Sequence, residues 1–432
     1  TASGGGRAPV STAEIFHAYL DDYLDAMAEL SWTDIVRRQQ GLCASLAYGA
    51  AGIAYAHWYA GYLHQDSLLL NEAERWIRAA LAGQRHRLAF VDGSALPEDS
   101  MPAGAYLYGR TGLYLVHSLI ARSRGDRRAE RRSLARFAEL CRATAGGSAD
   151  LYMGTSGCLA ATAILFDHLR DEALFDLGAS LCAALQQGAV RPAAGGSDAR
   201  TWEGLRGTGL AHGPAGAFLA ILLWSAAAGS EPPTWFAPSL ATLLGEALHA
   251  HDRSNPTRDR STALEAQARS TGACDAPTGT HTTSRELATG AAPPCSRLCS
   301  GLSGFAFLAA RAAEVLRDGS LLAAARTAAN LVTQHPPEHA DLCCGRAGGA
   351  FALLPLARQD PTGPWRRASH DLALSTLLCD RADWPLTGLY GGEAALACLA
   401  LNLTFGIDSG PPGLDLITPY PCTPRRRAHQ PS

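Results

Sequence analysis

Apolar residues in this chain fall into two alternating kinds of run. One kind is apolar on nearly every side and comes directly after a Gly-x-x-Gly. Tyr48-Gly49-Ala50-Ala51-Gly52 leads into Ile53-Ala54-Tyr55-Ala56-His57-Trp58-Tyr59-Ala60. The same grammar returns at Tyr108-Gly109-Arg110-Thr111-Gly112, Met153-Gly154-Thr155-Ser156-Gly157, His212-Gly213-Pro214-Ala215-Gly216, Ser300-Gly301-Leu302-Ser303-Gly304, Cys344-Gly345-Arg346-Ala347-Gly348 and Thr387-Gly388-Leu389-Tyr390-Gly391. The other kind is amphipathic, over residues 67–81, 127–141, 171–185, 239–249 and 320–332. Helices buried on both sides are apolar all round, whereas surface helices keep a polar face. Repeats of this kind must stack to bury their apolar faces. The pattern predicts an all-α fold, an (α/α) toroid of seven inner and seven outer helices. An open solenoid needs polar capping repeats, and the terminal copies here are as apolar as the middle ones.

A further helix is predicted from Thr12, with Ile15, Phe16, Tyr19, Leu20, Tyr23 and Leu24 spaced for one face, packing against the next part of the chain. One polar stretch, about 251–294, breaks the rhythm and reads as an insertion that could lie over the mouth of the site. Residues from about 418 to 432 read as an exposed tail. The expected organisation is a single domain spanning residues 1–432. In each copy the first glycine is expected to let the backbone turn into the inner helix, and the second to let neighbouring helix starts approach. If the seven starts share one phase, the two residues before each first glycine face one end of the barrel. Those residues are Ala47 and Tyr48, Leu107 and Tyr108, Tyr152 and Met153, Ala211 and His212, Cys299 and Ser300, Cys343 and Cys344, and Leu386 and Thr387.

Composition adds bounds. With 432 residues, 47% of them hydrophobic, the chain can bury a large core, and a formal charge of −3 offers no general attraction to nucleic acid or an anionic membrane surface. Twelve cysteines scattered through helical runs read as reduced thiols, which points to a cytoplasmic protein. The chain opens Thr1-Ala2-Ser3-Gly4-Gly5-Gly6, without a secretory signal and without Met, in the manner of a linker inside a longer polypeptide. Apolar runs such as 213–228 are too short for a convincing membrane span, so no integral membrane segment is expected.

The candidate chemistry lies in the fifth and sixth copies. Any one cysteine is more commonly a small buried hydrophobe than a ligand, and a vicinal disulfide between Cys343 and Cys344 is a strained alternative. The shared register is what brings Cys299 toward that pair. Three thiolates suit a soft divalent ion such as Zn2+, with one position left for a substrate thiol. His212 falls in the same register and Asp150 stands four residues before Gly154. From residue types alone they read equally as a packed histidine and a turn-capping aspartate. His57 and His117 sit inside apolar helices and read as packing residues.

These motifs resemble the lanthionine synthetase C-like family, the lanthipeptide cyclases. Ala211-His212-Gly213 is similar to the family's Ala-His-Gly motif, and Leu298-Cys299-Ser300-Gly301 and Leu342-Cys343-Cys344-Gly345 fall where the family carries its metal cysteines. Many members have histidine where this chain has Cys344, so the site resembles the family's three-cysteine variant. Leu298 and Cys295 replace the family's Trp and Arg, leaving Arg297 as the nearest guanidinium; Cys295 itself reads as structural or exposed. The resemblance implies zinc held by Cys299, Cys343 and Cys344, with His212 as catalytic acid–base and Asp150 orienting it. It implies addition of peptide cysteines to dehydroalanine or dehydrobutyrine in a dehydrated precursor peptide, downstream of a separate or fused lanthipeptide dehydratase. Transfer of glutathione to dehydrated residues is the alternative within the family. A non-catalytic peptide-binding toroid with a structural zinc, closed by a fourth ligand, is the alternative outside it. A glycoside hydrolase on the same scaffold needs paired carboxylates, of which only Asp150 stands out in the repeat register.

Overall fold

The structure, a computed structural model, describes residues 11–38, 41–90, 102, 104–191, 199–254, 296–378 and 388–417. Seven helices form an inner wall: α3 (Ala50–His64), α5 (Arg110–Ser123), α7 (Thr155–Leu169), α9 (Pro214–Ala228), α11 (Leu302–Leu316), α13 (Arg346–Gln359) and α15 (Ala394–Phe405). Each touches the next, and α15 returns to α3, so the wall closes. Outside it, α4 (Ser67–Gly83), α6 (Arg127–Thr144), α8 (Glu172–Gln187), α10 (Phe236–Ser254), α12 (Gly319–Gln334) and α14 (Trp365–Leu377) each pack on the inner helix that precedes them. The fold is the (α/α) toroid that the two kinds of run predict.

The seventh outer helix comes from the other end of the chain. Helix α1 (Thr12–Glu29) starts on a capping box, Ser11 with Glu14, and buries Phe16, Tyr19, Leu20, Tyr23 and Met27. Its main partner is α15, where the Tyr19 hydroxyl donates to the Glu393 carbonyl at 3.3 Å. The expectation that it packs chiefly on the next segment of the chain is therefore corrected. After α15 the chain runs inward and forms no outer helix, so the exposed side of α15 needs an amphipathic cover from elsewhere. A short helix, α2 (Trp32–Arg38), lies against α4, and a two-residue antiparallel pair, β1 (Ala189–Val190) with β2 (Thr201–Trp202), precedes the fourth inner helix.

The residues before the inner helices are laced into a closed ring of backbone hydrogen bonds. Ala47 N donates to Leu107 O, Leu107 N to Tyr152 O, Leu151 N to Ala211 O, and Ala211 N to Cys299 O. Cys299 N donates to Cys343 O, Cys343 N to Tyr390 O, and Tyr390 N to Ala47 O. This fixes the register of the seventh sector four residues later than the Gly388 reading. Tyr390 and Gly391 take the positions assigned to Leu386 and Thr387, which lie outside the described residues. Gly388, at φ +85°, belongs instead to the approach to Tyr48, whose Cα would lie 2.3 Å from an added Cβ.

The first glycines are needed for a different reason from the one expected. Gly49 has φ −120° and ψ −165°, open to any residue, but a Cβ there would lie 2.3 Å from Cys43 O. Crowding, not a left-handed turn, demands glycine. The second glycines do allow close approach: a Cβ on Gly216 would sit 2.2 Å from Leu210 O and 2.7 Å from Leu151 Cβ of the preceding sector.

Behind the ring, residues 409–417 fill the lumen. Gly413 O accepts from the Tyr106 hydroxyl at 2.7 Å, and Asp415 Oδ1 lies 3.0 Å from Arg311 Nε of α11, close enough for an ion pair though not aligned as a hydrogen bond. Helix α10 runs to Ser254, slightly into the segment read as an insertion; residues 255–295, Cys295 among them, and the tail from 418 lie outside the described residues. Among the described residues no helix is long and apolar enough to cross a membrane.

Candidate metal centre

The fifth and sixth sectors are neighbours in the wall, so their ring positions, Cys299 and Cys343, are joined directly by the 3.2 Å bond from Cys299 N to Cys343 O. Cys344 occupies the next position. The three Sγ atoms all lie within 4.8 Å of one another, and those of Cys299 and Cys344 are 3.7 Å apart. Thiolates about 2.3 Å from a tetrahedral zinc would stand roughly 3.8 Å apart, so the spacing fits an ion of that kind. All three are free thiols, which removes the vicinal disulfide. Among the described residues no fourth His, Cys, Asp or Glu joins the group, as a closed structural site would require.

Each sulfur has local support. The Tyr152 hydroxyl is 3.9 Å from Cys343 Sγ, and the Ser300 hydroxyl is 3.7 Å from Cys299 Sγ. Cys344 N donates to Asp341 Oδ1 at 2.7 Å, which locks the turn that presents this thiol. Hydrogen bonds from Cys343 and Cys344 hold the Cys299 thiol well below the ordinary cysteine range against the effect of burial, and their bonds to Cys299 push those two thiols up. The cluster thus already favours anionic sulfur.

One sector earlier stands the second part of the site. His212 Nδ1 is 2.6 Å from Asp150 Oδ2, while Asp150 Oδ1 accepts from Tyr152 N at 2.7 Å and Met153 N at 2.9 Å. The capping role and the orienting geometry, alternatives in the sequence, occur on opposite oxygens of one carboxylate. Burial disfavours the charged imidazole, but the hydrogen bond and charge of Asp150, with Cys299 nearby, outweigh it and raise the His212 pKa. The Tyr152 ring bridges the two halves, edge-on to His212 with centroids 5.4 Å apart.

The remaining histidines behave as packing groups. His57 Nδ1 is 3.0 Å from Ile53 O, and burial pushes its pKa down to about 4; His117 Nδ1 is 2.7 Å from the Ser133 hydroxyl. Arg297 acts on the site through its charge, which favours the Cys299 thiolate. Two residues escaped the sequence reading. Asp341 stands four before Gly345, as Asp150 does before Gly154, so its signal was present. Tyr152 had been placed in the ring but given no partner, because its contact with Cys343 spans 191 residues.

Comparison with known proteins agrees with this architecture. The family model described as "Lanthionine synthetase C-like protein" matches residues 42–234, which contain Asp150 and His212 and stop before the cysteines. Among solved structures, "Nisin cyclase" superposes with a TM-score of 0.60 at 13% identity, covering 90% of this chain and 94% of that one, a likeness of fold. No curated protein matches the chain. With the toroid shared along nine-tenths of its length and the family match spanning its first four sectors, the chain is a member of the lanthionine synthetase C-like family.

Proposed function

We propose that this protein is a zinc-dependent lanthipeptide cyclase, closing thioether rings by adding cysteines of a dehydrated precursor peptide to its own dehydroalanine or dehydrobutyrine residues. The observation that carries the reading is the open three-cysteine cluster beside an Asp150-oriented His212 at one end of the toroid. Cys299, Cys343 and Cys344 would hold the ion. When bound, zinc supplies a Lewis-acidic position at which a peptide cysteine is kept as its thiolate near neutral pH.

The reaction forms a bond from that sulfur to the β-carbon and leaves an enolate, which must take a proton at the α-carbon. With Nδ1 engaged by Asp150, His212 exchanges protons through Nε2, accepting from the incoming thiol or donating to the enolate. Asp150 keeps the ring in one orientation and favours its charged state. Arg297 offsets part of the negative charge that three thiolates gather. Because the electrophile is a dehydrated Ser or Thr, a dehydratase, separate or fused, must act first.

Replacing Cys343 with Ala tests the reading. We expect metal content to fall well below one equivalent and ring closure, read as lost thiol alkylation at unchanged peptide mass, to drop at least a hundredfold. Full metal occupancy with unchanged turnover would overturn it, and a mass gain equal to glutathione would point to the transferase alternative.

A further inference from the structure

Resting on the cyclase reading, we infer that Tyr48, Tyr108 and Met153 form an apolar shelf across the mouth from the cysteines, seating uncharged apolar side chains that flank the dehydrated residue of the substrate peptide. The shelf arises from the register of the ring. Nearly every residue two or three places before the glycine position is buried, among them Leu46, Tyr106, Leu151, Leu210, Leu298 and Tyr390. The residues one place before it are part-exposed, and Ser300 is fully so. Those are therefore what the mouth presents. In sectors four to six they are His212, Ser300 and Cys344. In sectors one to three they are Tyr48, Tyr108 and Met153, without a charge among them.

The shelf is continuous with the chemistry. A Cβ on Gly391 would lie 2.6 Å from Tyr48 Cε1 and 2.8 Å from Cδ1, so the seventh sector carries glycine where the Tyr48 ring must lie. The Tyr48 and Tyr108 rings are 5.7 Å apart, Tyr108 meets Tyr152 edge-on at 5.3 Å, and Tyr152 reaches both His212 and Cys343. The Tyr48 and Tyr108 side chains hydrogen-bond each other, which leaves ring faces as their contact surface. Aromatic rings held half-exposed beside reactive groups gain by covering apolar surface, while a charged side chain placed there loses water without acquiring a partner. The electrophile, a planar residue that must be brought to a sulfur, fits between these faces and the cysteines.

The test uses the full zinc-loaded chain and a fluorescent dehydrated peptide whose cysteine is replaced by serine, so that it binds without closing. One version flanks dehydroalanine with leucine and the other with aspartate. We expect the leucine version to bind at least tenfold more tightly by anisotropy, Tyr108→Ala and Tyr48→Ala each to erase about tenfold of that difference with metal content unchanged, and Tyr108→Phe to retain it. Equal binding of the two peptides to the unaltered protein, or a preference that survives both alanine variants, overturns the shelf. If the unaltered protein shows the preference yet closes no ring in the cysteine-containing peptide, the cyclase reading falls and the shelf stands.

Discussion

Asp150 shows how a single side chain can belong to the fold and to the chemistry together. One oxygen ties down the turn into α7 and the other grips His212, so removing the carboxylate outright would disturb both. Asparagine separates them, since its carbonyl can keep the turn while its charge is gone. The raised His212 pKa means that the folded state binds the proton more tightly than the unfolded chain. The stabilisation is then complete below the imidazole's ordinary pKa of about 6.5 and is lost as pH rises through the raised value. Asp150→Asn should bring the His212 titration down, as followed by NMR of its ring protons, and lower the thermal midpoint more at pH 6 than at pH 9. An unmoved titration would show that the carboxylate does not set the proton affinity. Asp341 holds the matching place in the sixth sector, where its bond to Cys344 N presents a ligand and not a base. The register alone made both aspartates visible; only the neighbour of each decided its use.

Among the elements, the second glycine of each start is the most demanding position, because it sits where two sectors meet. At Gly216 an added methyl would run into a carbonyl and a neighbouring leucine that belong to the hydrogen-bonded ring itself. Gly216→Ala is expected to destabilise the protein by about 3 kcal/mol, an overpacking cost at the upper end of its usual range. Gly245, in outer helix α10, has nothing within 4 Å of an added Cβ, so Gly245→Ala should stabilise by roughly 0.5–1 kcal/mol through helix propensity. Urea unfolding of the two variants checks the contrast, and similar effects at both positions would deny the crowding. The inner helices were legible because a helix buried on both sides leaves no polar face in the sequence. The seventh start was misplaced by four residues, since Gly388 and Gly391 reproduce the spacing while the ring bond is made by Tyr390.

At the scale of the whole molecule, closure depends on the two ends of the chain. Helix α1 covers α15 from outside, and residues 409–417 fill the lumen from within, anchored by Asp415 against Arg311. Both of those side chains are less than a tenth exposed. Asp415→Ala leaves a buried guanidinium with fewer partners and deprives Gly410 N of its acceptor, and should cost about 3 kcal/mol in urea unfolding. A loss within experimental scatter would mean that the inner segment merely occupies the lumen. Neither end was readable as part of the closure. An amphipathic helix declares that it has a buried face but not which helix it faces, and the inner segment has no periodicity at all, its burial coming from individual contacts with distant residues.

What the linear chain determined is the repeating unit. Glycine spacing and the alternation of all-apolar with one-sided runs express short-range requirements, for close packing at a helix start and for one or two buried faces along a helix, and these are met within some thirty to sixty residues. Only the tertiary structure decided that α1 would complete the seventh sector, that Tyr390 would close the ring, and that Tyr152 would reach Cys343. Those outcomes depend on which distant segments become neighbours when the wall curves back on itself, and a local pattern carries no record of its curvature.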